Sequence, residues 1–309
     1  MTETDPVPST GADPLSTQLF VGGLQRSGTT LLASLLSQNP VVTGLRGTGF
    51  PEDEGQFVQR VYLSDDFMGR RQRKGGEVGR SMRWAYHPEA HLTEADARER
   101  SAAGTRLLES WWPYIVDQSR PVLLEKSPSN VARTRFLQAA FGDARFVIVT
   151  RHPLMQALAV RKWGTNSTQV GLAFDKIIDH WLTAMDMFTE DFPLLRNVAV
   201  TSYERLMHDP ATTLTDVADL VGLPAFAYET GSVREASASY VRYLDNMRRG
   251  RMSGFTSLNN RRRLVQRTER LVVALLGPLT MKRIEKRYGS RMAAYGYAVD
   301  DLTHCHRSW

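Results

Sequence analysis

The run Gln18-Leu19-Phe20-Val21-Gly22-Gly23-Leu24-Gln25-Arg26-Ser27-Gly28-Thr29-Thr30, followed by Leu31, Leu32, Leu35 and Leu36, sets the expected fold. Residues 18–22 are short and continuously apolar, as in a strand buried on both faces. The leucines after Thr30 recur at the spacing of one helix face. Between them, Gly23 and Gly28 stand at the spacing of a phosphate loop, in which successive backbone N–H groups and a helix N-terminus surround an anion. A nucleoside triphosphatase loop continues with Lys and then Ser or Thr after the second glycine. Here Thr29 and Thr30 follow, and the positive charge lies inside the loop at Arg26. The loop therefore reads as a cradle for one terminal phosphate, used without a metal ion.

Three more apolar runs extend the pattern: residues 121–125, 145–150 and 197–201. Each ends in a polar cluster that leads into a helical stretch: Lys126-Ser127-Pro128-Ser129, Arg151-His152-Pro153 and Tyr203-Glu204. Strands alternating with helices predict an α/β fold, a three-layer parallel sheet flanked by helices, with ligands beyond the carboxyl ends of the strands. The clearest helix places Phe174, Ile177, Ile178, Trp181, Leu182 and Met185 on one face. Residues 90–118 also read as helical. The Gly-rich, charged stretch from about 41 to 83 is long for a structureless connection, and predicts a functional loop or lid.

Composition bounds the rest. Hydrophobic residues make up 42% and charged residues 23% of the 309, which excludes a mostly disordered chain or a coiled-coil rod. The single cysteine, Cys305, excludes an intrachain disulfide framework and a Cys-rich zinc site. The net charge of +6 favours anionic partners in general: phosphates, sulfates, nucleic acid or an acidic membrane face. No apolar stretch is long enough for a spanning helix. Residues 1–17 lack the basic and apolar regions of a signal peptide and read as a disordered arm on a cytoplasmic protein. Residues 18–309 read as one domain, with 50–118 as an acceptor-binding lid and 224–309 as a helical C-terminal region. A homo-oligomer stays open.

At this point the chain resembles the sulfotransferases that use 3′-phosphoadenosine 5′-phosphosulfate (PAPS). The first block, with Arg26-Ser27-Gly28-Thr29-Thr30-Leu31-Leu32, is similar to their 5′-phosphosulfate loop, especially in the tyrosylprotein and bacterial small-molecule branches. Residues 145–153 resemble the element whose strand ends in an Arg for the 3′-phosphate, and Glu125-Lys126-Ser127-Pro128 the segment with a basic residue near the sulfuryl group. Tyr203-Glu204-Arg205-Leu206 with Asp209-Pro210 is similar to the late strand-and-helix block, and Met247-Arg248-Arg249-Gly250 to a signature that clamps the 3′-phosphate.

The resemblance implies a P-loop nucleotide-binding (sulfotransferase) fold and transfer of a sulfuryl group from PAPS to a hydroxyl of a small-molecule acceptor. PAP is the other product, and neither metal nor nucleic acid takes part. It assigns Arg26, Ser27, Gly28, Thr29, Thr30, Arg151, Tyr203, Arg248, Arg249 and Gly250 to the nucleotide, and Arg26 and Lys126 to the transferring group. Two positions depart from the cytosolic pattern. Ala159 stands where a Ser contacts the 3′-phosphate, with Ser167 or Thr168 as replacements. Pro128 stands where a catalytic His is usual.

The base is then sought in Pro51-Glu52-Asp53-Glu54-Gly55-Gln56, the region from which the tyrosylprotein branch takes its catalytic Glu. Crowded carboxylates raise one another's pKa, which suits a general base, and Glu54 and Glu52 rank above Asp53. His180 could line the acceptor pocket, and His87 and His91 lie near the expected lid without a metal-binding context. His152 follows the 3′-phosphate Arg and should face away from the sulfuryl group. Trp84, Trp111, Trp112, Tyr114 and Trp163 could stack on an aromatic acceptor or on adenine, or fill the core. Arg261-Arg262-Arg263 reads as a solvated helix face. A P-loop nucleoside or sugar kinase and a basic nucleic-acid-binding protein are the competing readings. The first requires the missing loop Lys; the second would show in steep salt dependence.

Overall fold

The computed structural model describes residues 13–71, 83–163, 174–231, 233, 237–252, 263–307 and 309. Five strands form one sheet: β1 (Thr17–Gly23), β2 (Val42–Gly44), β3 (Val122–Lys126), β4 (Ala144–Thr150) and β5 (Val198–Ser202). The order is β2-β3-β1-β4-β5, and every pairing is parallel. Four strands match the apolar runs of the sequence. The fifth, β2, lies in the stretch read as irregular; three residues at a sheet edge are too few to show a period.

Alternate side chains of each strand enter opposite layers. Leu19, Val21, Val147 and Val149 pack with the leucines of α1 (Thr29–Leu36) and with Leu214 and Val217 of α9 (Pro210–Leu220). Phe20, Leu123 and Phe146 face the other way, onto Trp111, Phe136 and Phe141. That second layer holds α3 (Glu94–Glu99), α4 (Ala103–Trp111) and α5 (Thr134–Ala140). Beyond it, α6 (Pro153–Trp163) and α7 (Phe174–Asp191) build a further cluster around Trp181 with α10 (Ala238–Arg248) and α11 (Arg263–Ala294). A short α2 (Asp65–Arg71) and α8 (Tyr203–His208) complete the described helices. None of them is long and apolar enough to cross a membrane.

The helix expected over 90–118 is two helices. Ala102 adopts φ 54 between α3 and α4, and Pro113 turns the chain after Trp111. The stretch 50–118 is not a loose cover in its described parts: Val61, Tyr62, Leu92, Leu107 and Trp111 are buried in the second layer. Trp84 and Trp111 are fully buried, so neither can stack on an acceptor, whereas Trp112 is half exposed. The side chain of Trp163 lies outside the described residues.

Strand register fixes where the site falls. Gly23 is level with Val149, Val21 with Lys126, and Thr150 with Ser202, so the four polar clusters emerge at one edge. The chain leaves β1 toward β2 and leaves β4 toward β5, on opposite sides. The crevice between adjacent strands with diverging connections is where open α/β sheets hold their ligands.

Candidate active site

The loop after β1 is shaped by its backbone. Gly23 has φ 155, and a Cβ there would stand 2.4 Å from the carbonyl oxygen of Val149. Ser27 is buried, and both its N–H (3.0 Å) and its hydroxyl (2.7 Å) donate to the Leu24 carbonyl, closing a tight turn. Arg26 takes a left-handed φ of 69, and Gly28, at φ 102, forms the N-cap of α1. No side chain caps that helix and no acid occupies its first turn. Its leading N–H groups therefore lie uncapped by a side chain beside Arg26, an arrangement that can hold an anion, with Thr29 buried and Thr30 exposed.

Arg151, at the end of β4, closes the crevice from the other side. Its Nη1 donates to the Arg26 carbonyl at 2.9 Å and its Nη2 to Ser237 Oγ at 3.2 Å. The guanidinium lies 3.9 Å over the Tyr203 ring and 5.8 Å from that of Tyr240. The Tyr203 ring also covers Gly28, where a Cβ would come within 2.8 Å of it. Arg151 is only 6% exposed, yet its Nε has no hydrogen-bond partner among the described residues. A buried donor left over in a cationic, aromatic-walled niche next to a phosphate loop fits a bound phosphate. His152 points elsewhere, as expected: Nε2 lies 2.9 Å from the Ala298 carbonyl, and burial pushes its pKa down to about 4.

The third component links β3 to the loop at 51–57. Lys126 Nζ and Glu54 Oε1 form a buried ion pair at 2.9 Å. Burial raises the Glu54 pKa to about 7; Asp65 adds to the rise, while Lys126 and Gln56 oppose it. Desolvation, rather than crowding within Pro51-Glu52-Asp53-Glu54, is the main cause of the rise. Glu52 is exposed at φ 61, where its charge acts on Arg26. Asp53 Oδ1 accepts from the backbone and hydroxyl of Thr48, both at 2.9 Å, and only braces the turn.

Several residues around this pair carry no sequence signal of their own. Gln56 Nε2 donates to Glu54 Oε2 at 2.6 Å, while Gln56 Oε1 accepts from Ser129 Oγ and the Asp65 N–H, both at 3.0 Å. Asp65 Oδ2 in turn accepts from Gln25 Nε2 at 2.6 Å, inside the phosphate loop. A continuous hydrogen-bonded chain thus runs from Lys126 to the residue before Arg26. Beneath it, the buried Glu125 accepts from the Gly55 N–H (2.9 Å), Ser127 Oγ (2.6 Å) and Asn130 Nδ2 (2.6 Å), fixing the turn that carries Glu54 to the sheet. Beside Lys126 and Glu52, a cavity of about 470 Å³ extends along Thr30 and Ser34 of α1 and past Gln38 beyond its end toward Arg46. This is the size range of small-molecule sites.

Other expected site residues are not brought to this place. Arg248 Nη2 donates to the Val299 carbonyl at 2.5 Å, Arg249 pairs with Asp245 at 2.9 Å, and Gly250 at φ 64 ends α10. They lie at the opposite end of α10 from Ser237 and Tyr240, which contact Arg151. His180 is fully buried, accepts from the Ala85 N–H at 3.3 Å and has its pKa pushed down to about 3 by burial, so it lines no pocket. His91 pairs with Asp191 at 2.8 Å, and His87 Nδ1 accepts from the Glu89 N–H at 3.1 Å. Among the described residues, no three His, Cys, Asp or Glu side chains converge on a metal-sized space. Ala159 is buried in α6, and Ser167 and Thr168 lie outside the described residues.

Comparison with known proteins now bears on this geometry. The chain matches the sulfotransferase family over residues 18–227. Similar solved structures include a sulfotransferase of Mycobacterium tuberculosis (19% identity, covering 68% of each chain, TM-score 0.43). Another is a sulfotransferase of Mycobacterium avium (15% identity, 94% of this chain and 79% of that one, TM-score 0.48). A third is retinol dehydratase in complex with retinol and PAP (13% identity, 69% and 62%, TM-score 0.32). Among curated proteins no significant sequence relative is found. The match covers β1 to the end of α9 and so spans the phosphate loop, Lys126, Arg151 and Tyr203: the chain belongs to the sulfotransferase family.

Proposed function

We propose that the protein transfers the sulfuryl group of PAPS to a hydroxyl of a small-molecule acceptor, releasing PAP. The observation that carries this reading is the junction of Arg151 with the Arg26 carbonyl, set beside the Lys126–Glu54 pair. One face of the crevice offers two phosphate-binding elements; the other offers a buried carboxyl and its cation.

PAPS supplies an activated sulfuryl group on a phosphosulfate anhydride. The rest falls to the chain. The N–H groups at the start of α1, with Ser27, Gly28, Thr29 and Thr30, hold the 5′-phosphate. Arg151, stacked on Tyr203, holds the 3′-phosphate through its Nε, which has no partner among the described residues. Arg26 and Lys126 neutralise charge that grows on the bridging and sulfuryl oxygens. Glu54 accepts the proton of the acceptor hydroxyl as its oxygen bonds to sulfur and the bridging S–O bond breaks, its electron pair leaving with PAP. A carboxyl with a pKa near 7 is matched to that proton at neutral pH.

Calorimetric titration with PAP tests the reading, together with turnover of PAPS across a panel of hydroxyl acceptors followed by mass. Saturable PAP binding with no Mg-ATP turnover is expected. No PAP binding would remove the proposal.

A further inference from the structure

The helix α11 carries a feature that sulfuryl transfer does not use. Its inner face buries Val273, Ile284 and Tyr288 in the cluster around Trp181. A Cβ on Gly277 would stand 2.4 Å from the Met247 carbonyl, so the helix is pressed tightly onto α10. Its outer face is apolar as well. Leu271, Leu275, Leu276 and Leu279 are between 44% and 73% exposed, and Leu271, Leu275 and Leu279 follow one another at i, i+4 and i+8. The turn after α10 adds to this face. Gly250 lies against Ala274 and Pro278, which brings up Met252, 62% exposed.

Charge decides what such a face meets. The stripe continues directly into Lys282 and Lys286, at i+11 and i+15 from Leu271, both exposed. Arg251 and Arg270 are exposed near its rim, and Arg283 is half exposed and paired with Asp175 at 3.1 Å. Glu285 is the exposed acid on this stretch of α11. A second copy is a poor partner. The described rim offers the exposed cations Arg251, Arg270, Lys282 and Lys286 against Glu285, so a second copy would meet it with like charge. An apolar stripe ringed by cations is complementary to a surface that is apolar inside and anionic outside.

We propose that the outer face of α11, with Met252, docks the protein on an anionic phospholipid bilayer, its leucines inserted at the headgroup boundary and Lys282 and Lys286 against lipid phosphates. This surface is independent of the transfer chemistry.

The test is flotation of the full-length protein with vesicles of phosphatidylcholine alone and of phosphatidylcholine doped with phosphatidylglycerol, alongside light scattering without lipid. The wild type is expected to float with the anionic vesicles, less so with the neutral ones, and to release as salt is raised. Leu275→Ser with Leu279→Ser should cost about tenfold or more in partitioning to either vesicle. Lys282→Gln and Lys286→Gln should each cost about fivefold, with anionic vesicles only. These positions are exposed, so unchanged thermal melts will show that the variants fold. Absence of wild-type flotation, wild-type flotation of the leucine variant, or a dimer in light scattering that the leucine variant abolishes would each overturn the proposal.

Discussion

Arg151 Nη1 reaches across the crevice to the carbonyl oxygen of Arg26 at 2.9 Å, joining two segments 125 residues apart in the chain. The contact fixes the left-handed turn at Arg26 by the same guanidinium that sits on Tyr203, so the two elements proposed to hold phosphates are kept as one unit. Arg151→Ala should weaken PAP binding about ten- to hundredfold by calorimetry. Arg151→Lys should recover little of it, because an ammonium cannot bridge Arg26, Ser237 and a phosphate at once. Wild-type affinity in both variants would remove Arg151 from the nucleotide site.

Glu54→Gln should reduce kcat about 10²- to 10⁴-fold and leave PAP affinity unchanged. The pH dependence follows from its raised pKa. As the proposed base, Glu54 works ionised, so turnover should fall as pH drops through about 7. Stability moves the other way. A carboxyl whose folded pKa lies above its ordinary value of 4.5 contributes stability below pH 4.5 and loses it as pH rises toward 7. Rate profiles and thermal melts across pH 4–8 read the two effects separately.

Lys126→Met should move the acid limb of the rate profile upward, because the lysine charge holds the Glu54 pKa down. It should also lower kcat through loss of a cation near the transferring group. An unshifted limb with an otherwise normal rate would mean that the ion pair is only structural.

Gly28→Ala meets two obstacles: φ 102, and a Cβ position 2.8 Å from the Tyr203 ring. A loss of about 1–3 kcal/mol in unfolding free energy is expected, with PAP binding impaired. Adding Tyr203→Ala should relieve the clash but not the backbone strain, so stability should return only in part.

Arg248→Ala and Arg249→Ala should leave PAP affinity unchanged. Arg248→Ala should cost about 1 kcal/mol of stability through its lost bond to Val299. A drop in PAP affinity would restore these arginines to the nucleotide.

What could be read from the sequence follows the length over which a pattern acts. Continuous apolar runs at 18–22, 121–125 and 145–150 exposed the parallel sheet because such strands are buried on both faces. The three residues of β2 offered no such run. The phosphate loop was legible because its glycines act within six residues. The Lys126–Glu54 pair joins positions 72 apart, and its members were found separately, on resemblance rather than on contact. Gln25, Gln56 and Asp65 are ordinary polar residues in sequence and acquire meaning only by meeting. Met247-Arg248-Arg249-Gly250 carries a second, local meaning that the resemblance does not reveal. Basic residues followed by a left-handed glycine are also how helices end, and α10 ends there.

The three hydrogen bonds of Glu125 have a consequence for catalysis. Ser127 and Asn130 hold the carboxylate, the Gly55 N–H ties the turn carrying Glu54 to it, and a Cβ on Gly55 would already touch the Glu125 side chain at 2.8 Å. The proposed base, Glu54, is thus immobilised during folding rather than on acceptor arrival. Its loss of rotational freedom is borne once, by the folded protein, and is not charged again to each turnover.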